Sequence, residues 1–270
     1  MENRYLLYID ILGFSDLVEK GEKRIDDLYE VIASLNVHRH HAFKTIIFSD
    51  TILVYNLDGG EFQEDKYYLV MFLCEFAQDL QYRLTERGVF FRAVIVRGSF
   101  KHYELNSVPC FFGKALIDAY RSEKKIKAIG LFIEKSIEKD SDIFKVRSYN
   151  DNFSFVFITQ SLHQIEYVYD GQFPIEASVI EQTDLIWYLT PEILYLKNLF
   201  YLNRFHPDER VREKYFSTWA LFKSHYPKTI QHLENTHFDL EMVSPGACWS
   251  KVLKRFPEDY SWAIQTRLEY

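Results

Sequence analysis

The sequence has little cysteine. Only three of its 270 residues are cysteine, at Cys74, Cys110 and Cys248, and the gaps between them match no zinc or redox motif. An odd number of widely separated thiols gives no sign of the disulfide framework that stabilises small secreted domains. We therefore expect buried, reduced cysteines in a cytoplasmic protein.

Long apolar runs and an excess of positive charge are also missing. No stretch of about 18 apolar residues occurs, so no membrane-spanning helix is predicted, and Asp10 interrupts the first apolar run too early for a signal peptide. Lysine and arginine number 32 against 39 aspartate and glutamate, a net charge of −7. This charge argues against a sequence-independent nucleic-acid coat, which needs a basic face, but is compatible with a small anionic ligand held by a metal.

The composition is that of an ordinary soluble globular chain. Hydrophobic residues make up 47% and charged residues 26%, and the length fits one large domain or two small ones. Aromatic residues are abundant, at 17%, and are expected mainly to fill the core and interfaces.

The first half of the chain alternates between strand-like and helix-like segments. Strands are predicted at residues 5–10, 43–48, 51–57, 89–96 and 129–133, with a further strand starting at Phe100. Helices are predicted from a cap at Ser15 and over residues 63–87 and 113–127. This order predicts an α+β fold, an antiparallel sheet with helices on one face.

The second half gives weaker signals. Strands are predicted at residues 143–147, 153–158 and 165–169, and helices at 190–201 and 207–225, opened by Pro191 and Pro207. We expect residues 1–140 to form the functional core and residues 141–270 to be a C-terminal α/β extension of unknown role, packed on that core.

Two carboxylates are the main candidates for chemistry. Asp10 ends an apolar strand, where a lone carboxylate is costly unless it is paired or metal-bound. Asp50 lies at the tip of the predicted hairpin of residues 43–57. Either residue alone is better explained as a turn or cap residue. Together, on neighbouring strands, they offer the oxygen ligands that Mg²⁺ or Mn²⁺ needs to hold a triphosphate.

A glycine turn follows the first carboxylate. Ile11-Leu12-Gly13-Phe14-Ser15 leads into a predicted helix N-terminus, where free backbone N–H groups can bind phosphate oxygens. The histidines His38, His40 and His41 precede the hairpin without a carboxylate in register, so a solvated strand end explains them better than a metal site.

Four segments together resemble class III nucleotidyl cyclases. They are Tyr-Ile-Asp10-Ile-Leu-Gly-Phe-Ser, Phe-Ser-Asp50-Thr-Ile, Phe91-Arg-Ala-Val-Ile-Val-Arg97-Gly98 and Phe112-Gly-Lys-Ala-Leu-Ile-Asp-Ala-Tyr-Arg121-Ser-Glu123. The last two are closest to the bacterial pyrimidine (uridylate and cytidylate) cyclases of the Pycsar anti-phage system. The resemblance covers roughly residues 5–135.

The resemblance implies a set of site residues. Two divalent ions, Mn²⁺ or Mg²⁺, would be held by Asp10, the carbonyl of Ile11 and Asp50, and Arg121 would stabilise charge on the α-phosphate. The phosphates would lie on the turn formed by Leu12, Gly13, Phe14 and Ser15. In the family, the metal ligands of one site come from one subunit and the arginine from the other. The resemblance therefore also implies a head-to-tail homodimer.

The chain departs from the family pattern where the base and ribose are recognised. Ile46 and Cys110 replace the Lys and Asp that recognise adenine, and Ile117 replaces the Asn that orients the ribose. Lys44, on the same strand face as Ile46, is a candidate substitute. Arg97 could face the base or a dimer partner, with a solvated strand end as the alternative. The departures make ATP or GTP an unfavourable substrate.

We therefore predict a pyrimidine nucleotide cyclase that converts UTP or CTP into cyclic UMP or cyclic CMP with release of pyrophosphate. The Pycsar resemblance further implies an antiviral role, with the product sensed by a separate effector protein. Two alternatives remain open, an inactive cyclase-like module that binds nucleotide and a dimerising scaffold.

Overall fold

The computed structural model describes residues 1–35, 40–58 and 60–255, which fall into two compact units. The first comprises Met1–Gln81 and Phe90–Ile158, and the second Tyr82–Val89 and the described part of Thr159–Tyr270. The strands of the first unit are β1 (Glu2–Leu12), β2 (Phe43–Phe48), β3 (Thr51–Asn56), β4 (Phe90–Leu105), β5 (Val108–Phe112), β6 (Gly130–Glu134), β7 (Lys145–Ser148) and β8 (Phe153–Phe157). Its helices are α1 (Phe14–Glu19), α2 (Glu22–Ala33), α3 (Gln63–Thr85, ending in the second unit) and α4 (Lys114–Glu123), with a 3₁₀ helix at Lys135–Asp140.

The strands form one mixed sheet. Their order is β2-β3-β1-β4-β6-β8-β7, and β5 pairs with the far end of β4. Every pair is antiparallel except β4 and β6, which are joined by a crossover through α4. This mostly antiparallel sheet with packed helices confirms the predicted α+β class. The central strands are buried because both of their faces are covered. Their near-continuous apolar sequences are typical of strands in this position.

Helices contact both faces of the sheet. Side chains alternate between faces along a strand, so Tyr8 and Asp10 share one face of β1. The ring of Tyr120 on α4 packs against Tyr8 on this face, with centroids 6.5 Å apart. On the opposite face, Phe72 of α3 stacks on Phe43 of β2, with centroids 4.8 Å apart. The face that carries Asp10 is therefore the one contacted by α4.

The hairpin at residues 43–57 and the helix from residue 63 are confirmed, but the first predicted helix is not continuous. The chain forms α1 and α2, separated by Gly21, whose φ of 112° lies where L side chains are strained. Gly13, not Ser15, occupies the N-cap of α1, with φ 73°. Ser15 lies within the helix, so its prediction as a cap is wrong.

Strand β4 continues past Arg97-Gly98-Ser99, where the sequence predicts its end. A Cβ atom at Gly98 would lie 3.2 Å from the backbone nitrogen of Ala115, the second residue of α4. Glycine therefore marks a close approach of a helix to a continuing strand, and the segment starting at Phe100 belongs to the same strand.

The sheet extends beyond residue 140, where we expected the core to end. Strands β7 and β8 pair with each other, and β8 pairs with β6. The first unit consequently ends after Ile158.

In the second unit, the structure describes helices α5 (Gln160–Tyr167), α6 (Ala177–Gln182), α7 (Leu185–Phe205), α8 (Glu209–His225), α9 (Pro227–Asn235), α10 (Leu240–Val243) and α11 (Trp249–Leu253). The strand predicted at residues 165–169 is wrong. Its apolar alternation resembles a strand, but Leu162, Ile165 and Glu166 are buried at helical spacing on α5. The Glu166 carboxylate accepts hydrogen bonds from the backbone N–H groups of Lys228 and Thr229 at the start of α9.

Helix α7 starts at Leu185 and contains Pro191, whereas the sequence predicts that this proline opens the helix. Proline lacks the N–H that would bond the carbonyl four residues earlier, that of Trp187. The guanidinium of Arg255 donates to this carbonyl at 3.2 Å. An alternative donor therefore compensates for the missing helical hydrogen bond. None of the described helices is long and apolar enough to cross a membrane.

Glu192, fully buried in α7, makes the stability of the second unit depend on pH. Burial raises the pKa of its carboxyl group from 4.5 to about 7, despite hydrogen bonds donated by the Tyr82 hydroxyl and the backbone N–H groups of Ser161 and Leu162. The folded chain thus holds a proton that the unfolded chain releases above about pH 4.5. The bound proton therefore adds to the free energy of unfolding. This contribution is fully present below pH 4.5 and is lost as the pH rises through 7.

We therefore expect Glu192→Gln, which mimics the protonated group, to gain about 2–3 kcal/mol of unfolding free energy relative to wild type between pH 5 and pH 8. Urea denaturation of both proteins across this pH range measures the difference. The exposed Glu213, changed to Gln, is the matched control and should show little change. A wild-type-to-variant difference that is constant with pH would contradict the assignment.

Candidate functional site

Asp10 and Asp50 lie at adjacent positions on neighbouring elements. Asp10 pairs with Thr51 across β1 and β3, and the backbone N–H of Ile11 donates to the carbonyl of Asp50 at 2.9 Å. The preceding Ser49 adopts φ 54°, which turns the chain between β2 and β3. The register of the sheet thus brings together two carboxylates that are forty residues apart in sequence.

Tyr8 lies two residues before Asp10 on the same face of β1. Its hydroxyl lies 3.4 Å from the Thr51 hydroxyl. Burial raises the pKa of Tyr8, the Thr51 contact lowers it, and the negative charges of Asp10 and Asp50 both raise it further. The two carboxylates therefore act on the same phenol.

Arg92 is a site residue to which the sequence analysis gave no role. It lies opposite Asp10 in the β1–β4 register, and its Nη2 atom is 3.4 Å from Asp10 Oδ2. The same nitrogen forms an ion pair with Glu123 at the end of α4, and Nη1 donates to the Ile126 carbonyl at 3.0 Å. Burial lowers the pKa of Arg92, and the charge of Asp10 counteracts this. The sequence does contain a signal for this role, because Arg92 is a charged residue inside the apolar strand segment Phe91–Val96.

The donor set fits hard divalent cations. Asp10, Arg92 and Glu123 together carry one net negative charge, and Asp50 adds a second, so the site stays negative despite the arginine. No group of three or more His, Cys, Asp or Glu side chains suited to a metal occurs within the described ranges. A metal here would therefore rely on two carboxylates, backbone oxygen and water, which is the coordination that Mg²⁺ commonly adopts.

The predicted phosphate turn directly follows β1. Leu12 ends the strand, and Gly13 begins α1 with no side-chain hydrogen bond to the cap. The N–H groups of Phe14 and Ser15 fall in the first helical turn, where the helix itself supplies no acceptor. The ring of Phe14 packs near Tyr29 of α2, whose hydroxyl donates to the Ser49 carbonyl at 3.2 Å, so α2 connects this turn to the β2–β3 hairpin.

Arg121 lies on the exposed side of α4. Ala115, Ala119 and Glu123 form the buried side of this helix, whereas Arg121 and Ile117, one turn apart, are exposed. Ile117 is 50% exposed. Within a single chain, Arg121 is thus presented outward.

The base-pocket candidates are not all brought together. Lys44 is exposed and Ile46 half-buried on the same face of β2 as Asp10 is on β1. Cys110 is half-buried in β5, opposite Tyr103. Arg97 lies on the other face of the sheet, where its guanidinium packs over the ring of Tyr5 at 5.2 Å. Strand alternation along β4 places it there, on the face that does not carry Asp10.

Of the three histidines that precede the hairpin, His40 and His41 belong to an aromatic cluster. The His40 ring lies 4.3 Å from Phe72 and stacks on His41, and its Nδ1 accepts from the Ala42 N–H. His38 lies outside the described residues.

Solved structures with a similar fold include several cyclases. The chain is similar to the adenylyl cyclase CyaB from P. aeruginosa, with 12% identity and a TM-score of 0.44, over 57% of this chain and 93% of that one. The guanylyl cyclase domain of the RhoGC fusion protein from Blastocladiella emersonii has 13% identity and a TM-score of 0.42, over 58% of this chain and 97% of that one. A class III adenylyl cyclase-like ATP-binding protein from Pseudomonas aeruginosa has 17% identity and a TM-score of 0.38, over 53% of this chain and 35% of that one.

No protein-family profile matches the chain, and no curated protein does.

Proposed function

We propose that this protein is a nucleotide cyclase that converts a pyrimidine nucleoside triphosphate into its 3′,5′-cyclic monophosphate. The observation that carries the proposal is the adjacency of Asp10 and Asp50, linked by the hydrogen bond from the Ile11 N–H to the Asp50 carbonyl. The glycine turn that follows Asp10 adds backbone N–H groups beside these carboxylates.

Asp10, Asp50 and the Ile11 carbonyl would hold two divalent ions, Mg²⁺ or Mn²⁺. Such ions lower the pKa of a coordinated hydroxyl and neutralise charge on a triphosphate. The protein supplies the geometry, because β1 and the β2–β3 hairpin hold the ligands on adjacent strands of one sheet. The N–H groups around Gly13 would orient the phosphates for attack by the ribose 3′-oxygen on the α-phosphorus.

Arg121 would stabilise the charge that develops on the α-phosphate. Its outward position on α4 supports a role across a subunit boundary, in a head-to-tail homodimer with two equivalent sites. The hairpin of β4 and β5 supports dimerisation, because Leu105 and Val108 at its tip are each 58% exposed.

The base-recognition residues support UTP or CTP as substrate. Ile46 and Cys110 cannot form the charged donor–acceptor pair that recognises a purine, and Lys44 projects on the same strand face as Ile46. The cyclic product would act as a messenger in anti-phage defence, sensed by a separate effector. Support for that role comes from the resemblance of the sequence motifs.

Incubation of the purified protein with each of the four NTPs and Mn²⁺, followed by mass analysis, tests the function and its substrate. We expect cyclic UMP or cyclic CMP to exceed cyclic AMP by at least about 10-fold, since an apolar pocket discriminates by about 10–200-fold. Efficient production of cyclic AMP with little pyrimidine product would contradict the substrate assignment.

A catalytically inactive nucleotide-binding module is the second candidate. It is favoured by Ile117, an apolar residue where the resemblance places an amide for the ribose. Saturable, Mn²⁺-dependent binding of UTP or CTP without cyclic product would establish this alternative. A chain that binds no nucleotide but still dimerises would instead fit a scaffold.

A further inference from the structure

Arg92 connects the first carboxylate of the site to helix α4. Its Nη2 atom contacts both Asp10 Oδ2, at 3.4 Å, and a Glu123 carboxylate oxygen. Its Nη1 atom donates to the carbonyl of Ile126, three residues beyond Glu123. The side chains of Arg92 and Glu123 are only 11% and 6% exposed, so water screens this ion pair weakly.

The arrangement sets two opposing influences on a cation at Asp10. A guanidinium that contacts a carboxylate occupies some of its lone pairs and repels a metal ion. Glu123 shares the same nitrogen and therefore draws part of this positive charge away from Asp10. The two partners of one buried ion pair should consequently affect metal binding with opposite signs.

We propose that Arg92 and Glu123 act as a positioning pair that sets the affinity of Asp10 for a divalent cation. This proposal rests on the proposed function, in which Asp10 is a metal ligand. Arg92 restrains the carboxylate and weakens its attraction for the ion, and Glu123 counteracts Arg92. Because Glu123 lies two residues after Arg121, the same pair fixes the helix that carries the expected phosphate-stabilising arginine to the strand that carries the metal ligand.

Direct Mn²⁺ binding tests the proposal without any dependence on turnover. Titration calorimetry, with electron paramagnetic resonance of free Mn²⁺ as a second readout, gives the dissociation constant for each full-length variant. We expect Glu123→Gln to weaken Mn²⁺ binding by about 10-fold, at the lower end of the 10–100-fold effects of residues that support metal ligands. In this variant no carboxylate counteracts the positive charge of Arg92 beside Asp10.

The double variant Arg92→Gln/Glu123→Gln removes both charges and leaves a pair of amides that can hydrogen-bond. We expect it to bind Mn²⁺ at least as tightly as wild type, because the nearer of the two opposing charges is removed. A purely structural ion pair predicts the reverse, with the double variant no better than Glu123→Gln. Asp118→Asn, which removes an exposed carboxylate paired with Lys114 on the same helix, is the control and should leave Mn²⁺ binding unchanged.

The outcomes separate this proposal from the proposed function. If Asp10→Asn does not weaken Mn²⁺ binding, Asp10 is not a metal ligand, and both fail. If Asp10→Asn weakens it but Glu123→Gln does not, or the double variant stays weak, the positioning role of Arg92 is wrong and the metal site stands. If Glu123→Gln does not fold, the double variant alone decides. The proposal is overturned if the folded double variant binds Mn²⁺ more weakly than wild type does.

Discussion

Replacement of Asp10 by asparagine is expected to reduce cyclase turnover by at least about 10²–10³-fold, the cost of removing one group that stabilises a transition state. Asp50→Asn should give a loss of the same order, because both carboxylates are needed to hold the metal ions. The fold should persist, since Asp10 lies near the end of β1 with its side chain 23% exposed, and Arg92 keeps Glu123 as a partner in the variant. Initial rates of cyclic nucleotide formation at saturating Mn²⁺ measure the effect.

Asp58→Asn is the matched control for this experiment. Asp58 is an exposed aspartate beyond the other end of β3, away from the hairpin tip that carries Asp50. It should retain wild-type activity, and the melting temperatures of all three variants should stay close to that of wild type. Substantial turnover by Asp10→Asn or Asp50→Asn would contradict the assigned metal site.

Inactive Arg121→Ala and inactive Asp10→Asn are expected to restore activity to each other when mixed. Loss of the Arg121 guanidinium should lower kcat by about 10²–10³-fold with little change in substrate binding, because it acts mainly in the transition state. In a dimer whose sites combine Asp10 of one subunit with Arg121 of the other, a mixed dimer carries both lesions in one site and none in the other. A random equimolar mixture should therefore reach about one quarter of wild-type activity.

Subunit exchange must be confirmed independently, for example by energy transfer between labelled subunits. Lys125→Ala, which removes an exposed cation just after α4, is the control and should remain active alone. A mixture that stays inactive despite exchange excludes the shared site. Full activity of Arg121→Ala alone excludes its role in the transition state.

Local patterns were enough to predict the elements around the site. The apolar strand that carries Asp10, the hairpin at Asp50 and the helix starting at Gln63 each have a clear period and a turn or cap residue near the boundary. The errors arose where tertiary contacts override local signals. Gly98 allows a strand to continue beneath a helix, and the alternating residues 165–169 lie on or just beyond helix α5.

The candidate site was only partly predictable for a related reason. That Ile11 hydrogen-bonds to Asp50, or that Arg92 lies opposite Asp10, depends on strand register, which one sequence does not specify. The same register places Arg97 opposite Tyr5, on the face of the sheet that does not carry Asp10. The Arg92–Glu123 ion pair joins a strand to a helix that packs on it, a contact with no local signature.

The most direct test of the central claim is to locate Mn²⁺ by anomalous diffraction in crystals grown with Mn²⁺ and a non-reactive UTP or CTP analogue. Anomalous peaks are expected within about 2.0–2.6 Å of carboxylate oxygens of both Asp10 and Asp50, with the analogue's phosphates on the turn at Gly13. Peaks at other residues, or the two carboxylates bound to separate ions without shared phosphate, would contradict the claim that Asp10 and Asp50 form one nucleotide-cyclising metal site.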